Sequence, residues 1–88
     1  MQRKIEENKV FVGSLPLDLI NESFKAMFAQ FGKITEATIV TDRHTYQSKG
    51  FGYITFFRTG DAKKAIASMD QTIIEGKKML VTFAKPGS

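Results

Sequence analysis

The sequence predicts an α+β domain in which a four-stranded antiparallel sheet is covered on one face by two helices. Three observations lead to this fold class. The chain has 88 residues, enough for one small hydrophobic core and too few for two. Short β-branched or aromatic runs occur in four places. Two segments with apolar residues at helical spacing separate these runs in the order β, α, β, β, α, β.

The first half of the chain supplies a strand, a helix and a second strand. Residues 9–13 (KVFVG) form the first strand, which stops at a turn signal around Pro16. The next apolar residues have the i, i+3, i+4, i+7 spacing of one helical face: Phe24, Met27, Phe28 and Phe31. We predict Asn21 as the N-cap of this helix and Gly32 as the residue that ends it. Residues 34–41, rich in Thr, Ile and Val, form the second strand.

The second half repeats this plan after a polar loop at residues 42–48. Residues 50–57 are strongly aromatic and form the third strand. Thr59 is predicted to cap a second helix, whose buried stripe again has helical spacing: Ala62, Ala65, Ile66 and Met69. Turn chemistry at 75–78 precedes a last strand at 79–84.

The element order βαββαβ is that of the ferredoxin-like layout, in which both helices lie on one face of the sheet. We expect this domain to occupy residues 9–86. Residues 1–8 mix both charge signs with few apolar groups and are expected to form a flexible tail. Residues 87–88 are expected to be a linker or the end of an expressed fragment.

Composition narrows the possible functions. The chain has no Cys and a single His, which excludes a disulfide framework, a Cys- or His-based metal centre and most nucleophilic triads. We therefore expect no catalytic residue, no cofactor and no metal ion. Thirteen Lys and Arg against nine Asp and Glu give a net charge of +4, which fits a nucleic-acid partner without requiring one.

The sequence shows no membrane or secretory signal. No apolar run approaches the roughly 18 residues that a membrane-spanning helix needs, and the charged start does not resemble a secretory signal. With Cys absent as well, we expect an intracellular protein, nuclear or cytoplasmic or both, without a membrane partner.

Alternation along the strands divides their side chains between two faces of the sheet. One set is purely apolar or glycine and suits a core beneath two helices: Val10, Val12, Ala37, Ile39, Gly50, Gly52, Ile54, Phe56, Met79, Val81 and Phe83. The other set mixes charged groups, hydroxyl groups and rings: Lys9, Phe11, Gly13, Glu36, Thr38, Val40, Lys49, Phe51, Tyr53, Thr55, Lys78, Leu80, Thr82 and Ala84. We predict that the second set lies on the open face.

The open face would expose Phe11, Phe51 and Tyr53 beside Lys9 and Lys49. Burying one large apolar side chain is worth about 1.5–3 kcal/mol, so a cluster of rings left in water and rimmed by positive charge indicates a ligand face. Nucleobases stack on aromatic rings, and Lys side chains neutralise phosphates. Single-stranded nucleic acid fits such a face better than a duplex, whose bases are already stacked.

Two motifs make the interpretation specific. The octamer KGFGYITF at residues 49–56 resembles the RNP signature of the RNA recognition motif (RRM), with Tyr53 and Ile54 replacing the usual Phe and Val. The hexamer VFVGSL at residues 10–15 resembles the shorter family motif, on the first strand as expected. The resemblance covers residues 9–86 and is strongest to RRMs of the heterogeneous nuclear ribonucleoprotein type.

This resemblance implies roles for the residues of the open face. Phe11 and Phe51 would each stack a base, and Tyr53 would pack against a sugar or between two nucleotides. Lys49 would pair with a phosphate. The rest of the RNA-binding surface would come from Lys9, Thr38, Val40, Leu80, Thr82, Ala84 and Lys85. The family usually has Ser or Thr capping the first helix where this chain has Ile20, so we predict the cap one residue later.

The leading hypothesis is a non-catalytic module that binds single-stranded RNA, as a monomeric domain of a longer multi-domain protein. Single-stranded DNA remains a candidate, since the 2′-hydroxyl distinguishes the two nucleic acids and stacking does not. A protein-binding RRM is the second hypothesis, although such variants replace or cover the rings. A third is an acylphosphatase-type enzyme, for which the turn at residues 13–16 lacks both the glycine-rich loop and a nearby Arg.

Overall fold

The computed structural model describes residues 8–84 and consists of two helices packed on one side of a sheet. The predicted α+β fold with a four-stranded antiparallel sheet is confirmed. The strands are β1 (Lys9–Gly13), β2 (Ile34–Thr41), β3 (Ser48–Phe56), β4 (Ile73–Ile74), β5 (Lys77–Lys78) and β6 (Leu80–Phe83). The helices are α1 (Asn21–Phe28), extended by a 3₁₀ turn (Ala29–Phe31), and α2 (Thr59–Met69).

The main sheet has the strand order β2-β3-β1-β6, and every neighbouring pair is antiparallel. The two strands that carry the RNP-like motifs, β1 and β3, therefore lie side by side in the middle. Both helices pack on the same face, α1 mainly over β2 and α2 over β6 and β3. The opposite face carries no described element and stays open, as the ferredoxin-like layout predicts.

The core lies between the helices and the covered face of the sheet. It consists of the residues whose side chains are buried there: Val10, Val12, Leu15, Phe24, Phe28, Ile39, Ile54, Phe56, Ala62, Ala65, Met79 and Val81. Most of the apolar set predicted by strand alternation is in this core. Phe83 is not, because it ends the edge strand β6 and remains 36% exposed.

Both predicted N-caps are wrong, whereas Gly32 ends the 3₁₀ extension of α1 as predicted. Asn21 and Thr59 are the first helical residues, and the N-cap positions are held by Ile20 and Arg58, neither of which makes a side-chain capping bond. The Asn21 side chain has a tertiary role instead: its Oδ1 accepts a hydrogen bond of 2.9 Å from the backbone N–H of Ile39 in β2. Asn21 thus satisfies a backbone donor on the outer strand of the sheet, which local sequence rules do not anticipate.

The turn predicted at residues 75–78 belongs to a small hairpin that the sequence patterns did not predict. Ile73 pairs with Lys78 and Ile74 with Lys77, separate from the main sheet. The two residues between them, Glu75 and Gly76, both have positive φ, as a tight two-residue hairpin turn requires. The last strand of the main sheet consequently begins at Leu80, one residue later than predicted, and Lys78 is not part of the open face.

Candidate nucleic-acid interface

Strand register aligns the predicted open-face residues in rows across the sheet. In the central row, Phe11 on β1 faces Tyr53 on β3 and Thr82 on β6. Tyr53 in turn faces Thr38 on the outer strand β2. All four side chains belong to the set that alternation assigned to this face, and none of them is fully buried.

The adjacent row completes an aromatic cluster. Gly13 on β1 faces Phe51 on β3 and Leu80 on β6. The ring centroid of Phe11 lies 5.7 Å from that of Phe51 and 5.7 Å from that of Tyr53. The centroids of Phe51 and Tyr53 are 6.4 Å apart. These spacings are those of interacting aromatic pairs, so the three rings hold one another in place.

Gly13 makes room for this cluster. A Cβ atom at this position would lie 3.1 Å from a ring carbon of Phe11. The Phe11 ring therefore extends over the Gly13 backbone, and a side chain at position 13 would push this ring away from the sheet. The glycine of the hexamer thus lets the Phe11 ring lie flat on the open face.

Two lysines flank the rings in different ways. Lys9 lies in the next row, opposite Thr55, and its Nζ is 5.0 Å from the ring centroid of Tyr53. Lys49 is exposed at the start of β3, one residue before Gly50, whose positive φ interrupts the strand where the β2–β3 register shifts. Lys49 therefore lies at the start of the strand, next to the loop at residues 42–47, where its charge acts on Asp42.

The other predicted site residues surround the cluster. Leu80 is 51% exposed beside Gly13. Ala84 is half-buried, and its N–H donates a 2.9 Å hydrogen bond to the carbonyl of Lys9. Val40 is half-buried in β2, at the register shift between Ile39 and Thr41. Lys85, also predicted to contact RNA, lies outside the described residues.

The loop between β2 and β3 is more ordered than its polar sequence suggested. Oδ1 of Asp42 accepts hydrogen bonds from the backbone N–H groups of His44 (2.8 Å) and Thr45 (3.0 Å). The donated bonds from Thr45 and His44, with a smaller contribution from the Lys49 charge, lower the pKa of Asp42. Asp side chains often accept such hydrogen bonds from the backbone two residues later, in an Asx turn. Asp42 was therefore a sequence signal for an ordered turn, whereas composition alone predicted only a polar loop.

A groove of about 790 Å³ lies between this loop, the start of α1 and β2. Three of the exposed large apolar side chains line it: Leu17, Ile20 and Tyr46. Thr38 belongs to both the groove and the open face, so the two surfaces are contiguous. Sequence periodicity gave no indication of this groove, because loop residues and the start of α1 meet the end of β2 only in the folded domain.

Residues 8–84 show neither a metal site nor a membrane-spanning helix. No group of three or more His, Cys, Asp or Glu side chains in this range could hold a metal ion. Over the same residues, no helix is long and apolar enough to cross a membrane.

The model of the RNA recognition motif family matches residues 10–80, and this chain belongs to that family. The resemblance inferred from the octamer and the hexamer is thereby confirmed. Among solved structures, a complex of the Sxl-lethal protein with RNA shares the fold with a TM-score of 0.88 at 27% identity. That comparison covers 92% of this chain and 48% of the other.

Two curated relatives come from Arabidopsis thaliana. The U11/U12 small nuclear ribonucleoprotein 31 kDa protein is 36% identical over 78 residues, which are 89% of this chain and 30% of the relative. The mitochondrial glycine-rich RNA-binding protein 4 is 39% identical over 77 residues, which are 88% of this chain and 57% of the relative. This chain therefore spans less than two thirds of the length of either relative.

Proposed function

We propose that this domain is a non-catalytic module that binds single-stranded RNA on the open face of its sheet. The observation that carries the proposal is the cluster of Phe11, Phe51 and Tyr53, three rings in mutual contact on a face that no described helix covers. Membership of the RNA recognition motif family supports RNA as the ligand. So do a relative named as RNA-binding and a structural neighbour solved with RNA.

The orientations of the three rings support different contacts with the RNA for each ring. The planes of Phe11 and Phe51 differ by 37°, the smallest angle in the cluster, so these two rings suit two stacked bases. Tyr53 stands at 65° to Phe11 and 87° to Phe51, and Lys9 lies against its ring. A ring in this position suits packing against a sugar or between two nucleotides, with the Lys9 ammonium next to the adjoining phosphate.

The expected affinity is modest. Each stacked base contributes about 1–3 kcal/mol, and the ordering of the RNA strand offsets part of this gain. Two or three stacked bases contribute about 2–9 kcal/mol in total, and together with phosphate contacts we expect a binding free energy of about −8 kcal/mol, which is micromolar. The central position of β1 and β3 helps, because rings fixed in advance lose little freedom on binding.

The experiment is a fluorescence anisotropy titration of a labelled, random-sequence short RNA at fixed salt. Phe51→Ala is expected to lose about 1–3 kcal/mol of binding free energy, because it removes one stacking surface. The matched control is Ile73→Ala, which truncates a side chain that is 66% exposed on the β4–β5 hairpin, away from the rings. Equal affinities of the wild type, Phe51→Ala and Ile73→Ala would contradict the proposal.

Two further titrations test which ring stacks a base and whether RNA is preferred to DNA. Repeating the titration with RNA that contains abasic positions tests which ring takes a base, because a ring that stacks a base loses its contribution at an abasic site. A larger, base-dependent loss for Tyr53→Ala than for Phe51→Ala would exchange their proposed roles. The same titration with single-stranded DNA measures the contribution of the 2′-hydroxyl, and a flat RNA titration would direct the search to a protein partner.

At the level of the whole protein, we propose that this domain acts beside a second binding module, because a linked module raises a micromolar affinity without new contacts here. Equal affinity of this domain and its parent protein for the same RNA would contradict this. A nuclear or cytoplasmic location stays a prediction.

A further inference from the structure

An exposed aromatic residue lies just beyond the end of β3. Phe57 follows the buried Phe56 and is 59% exposed. Its backbone N–H donates a 2.8 Å hydrogen bond to the carbonyl of Lys33, which continues the pairing of β2 and β3 past the last residue of the strand. Phe57 is therefore held in a defined position although its side chain takes no part in the core.

Two cations lie against this ring. The Nζ of Lys33 is 5.4 Å from the ring centroid of Phe57, and the Cζ of Arg58 is 5.8 Å from it. Within residues 8–84 the one ion pair joins Lys64 to Asp61, so neither cation is paired with a described carboxylate. Two like charges gathered at one ring repel each other, and an anion placed between them would relieve that repulsion.

Phe57 lies one residue beyond β3, and its hydrogen bond to Lys33 extends the strand pairing to it. Continued by this one residue, strand alternation predicts that Phe57 lies on the open face, with Phe51, Tyr53 and Thr55. The distance from Tyr53 to Phe57 along an extended strand is about 13 Å. The aromatic cluster and Phe57 would thus lie about 13 Å apart along β3 on the same face of the sheet.

The row between these ends has a charge gradient. Thr55 faces Lys9 on one side and Glu36 on the other. A phosphate that passes this row is attracted to the Lys9 side and repelled from the Glu36 side. A bound strand that continues from Tyr53 therefore passes Thr55 on its Lys9 side.

We propose that Phe57, Lys33 and Arg58 form an additional nucleotide subsite for the RNA strand that the aromatic cluster binds. The ring offers a surface for one base or sugar, and the two cations bind the adjoining phosphate. A nucleotide fits this combination because it carries a flat ring and an anion together, whereas an acidic peptide would use only the cations. The inference rests on the proposed function, since it extends the same bound strand.

The test is a length series of labelled random-sequence RNAs of about three to eight nucleotides, a range typical of small single-strand binding sites. For the wild type, affinity is expected to rise with length and then reach a plateau. For Phe57→Ala, the plateau should come about one nucleotide earlier and about fivefold to tenfold lower in affinity, the low end of a stacking contribution. The shortest RNAs should bind wild type and variant alike.

The charged residues are tested by salt dependence. Lys33→Gln with Arg58→Gln should reduce the slope of log affinity against log salt by about one for the longer RNAs, since about one phosphate contact is lost. Lys63→Gln with Lys64→Gln is the matched control, because it also removes two positive charges and both lysines are exposed on α2, which covers the opposite face. Ile73→Ala again controls for the loss of an exposed apolar side chain.

The outcomes separate the two proposals. If short RNAs bind in a manner that depends on Phe51 but the length series is unchanged in Phe57→Ala, the subsite is refuted and the sheet-face proposal stands. An equal loss at every length would also refute a separate subsite. If the wild type binds no RNA of any length, the proposed function fails and the inference fails with it.

Discussion

The covered and open faces of the sheet use aromatic residues in opposite ways. Between α1 and the sheet, Phe24 and Phe28 of α1 are fully buried with their ring centroids 5.7 Å apart. On the open face, Phe11 and Phe51 have the same centroid separation but remain half-buried. The separations agree although the ring planes differ, by 77° in the first pair and 37° in the second. The first pair is enclosed between α1 and the sheet, whereas the second is partly exposed to water.

This difference assigns separate contributions to the two faces. The two helices suffice to cover one side of a four-stranded sheet, so the rings buried between the helices and the sheet stabilise the fold. The rings on the other side gain little from folding and retain surface that a ligand can bury. Substitutions on the covered face should therefore change the free energy of unfolding, and substitutions on the open face should change binding.

The sharpest way to break this comparison is to remove one ring from each face. Phe28→Ala is expected to lower the free energy of unfolding by about 3–5 kcal/mol, because it leaves a cavity among fully buried side chains. Phe51→Ala should lower it by less than about 1.5 kcal/mol, since its ring is only half-buried. Urea denaturation followed by circular dichroism measures both. Similar losses for the two variants would show that the open rings also hold the fold together.

A pair of glycines gives a finer test. A Cβ on Gly52 would lie 2.5 Å from the carbonyl oxygen of Thr38 and 2.9 Å from the Phe24 ring. Gly52→Ala should therefore cost about 1–3 kcal/mol of stability by overpacking the sheet against α1. Gly13→Ala meets only the tip of the Phe11 ring, at 3.1 Å, and should tilt that ring and weaken RNA binding instead. The comparison fails if Gly13→Ala is the more destabilising variant in the same denaturation experiment.

The last two variants concern the start of α1, and the smaller effect is expected for the second of them. Asn21→Ala should destabilise the domain by about 1–3 kcal/mol, because it removes the acceptor of the part-buried Ile39 N–H. Ile20→Ser should stabilise it by about 0.5–2 kcal/mol, because it supplies the side-chain cap that the N-cap position lacks. Thermal unfolding of both variants checks the signs. A loss in Ile20→Ser would mean that Ile20, although 58% exposed, contributes more by packing than a cap can replace.

Much of the fold followed from local patterns. The bounds of β1 and β2 were predicted correctly, because β-branched and aromatic runs end at clear turn signals. The division of β3 into Phe51, Tyr53 and Thr55 on one side and Gly52, Ile54 and Phe56 on the other was also predicted, since the period of a strand is two. The same period does not anticipate the positive φ of Gly50 or the register shift between β2 and β3 beside it, and the role of Lys49 stays a prediction.

The sequence by itself determined the element order, the two helical stripes and the set of rings available to a ligand, since these depend on spacing along the chain. The tertiary structure decided which other side chains and backbone groups those residues contact. Asn21 bonds to a strand 18 residues away, Lys33 lies against Phe57, and Phe11 packs against Phe51. Such contacts join residues distant in sequence, and local periodicity carries no information about which of them will meet once the sheet and the helices are packed.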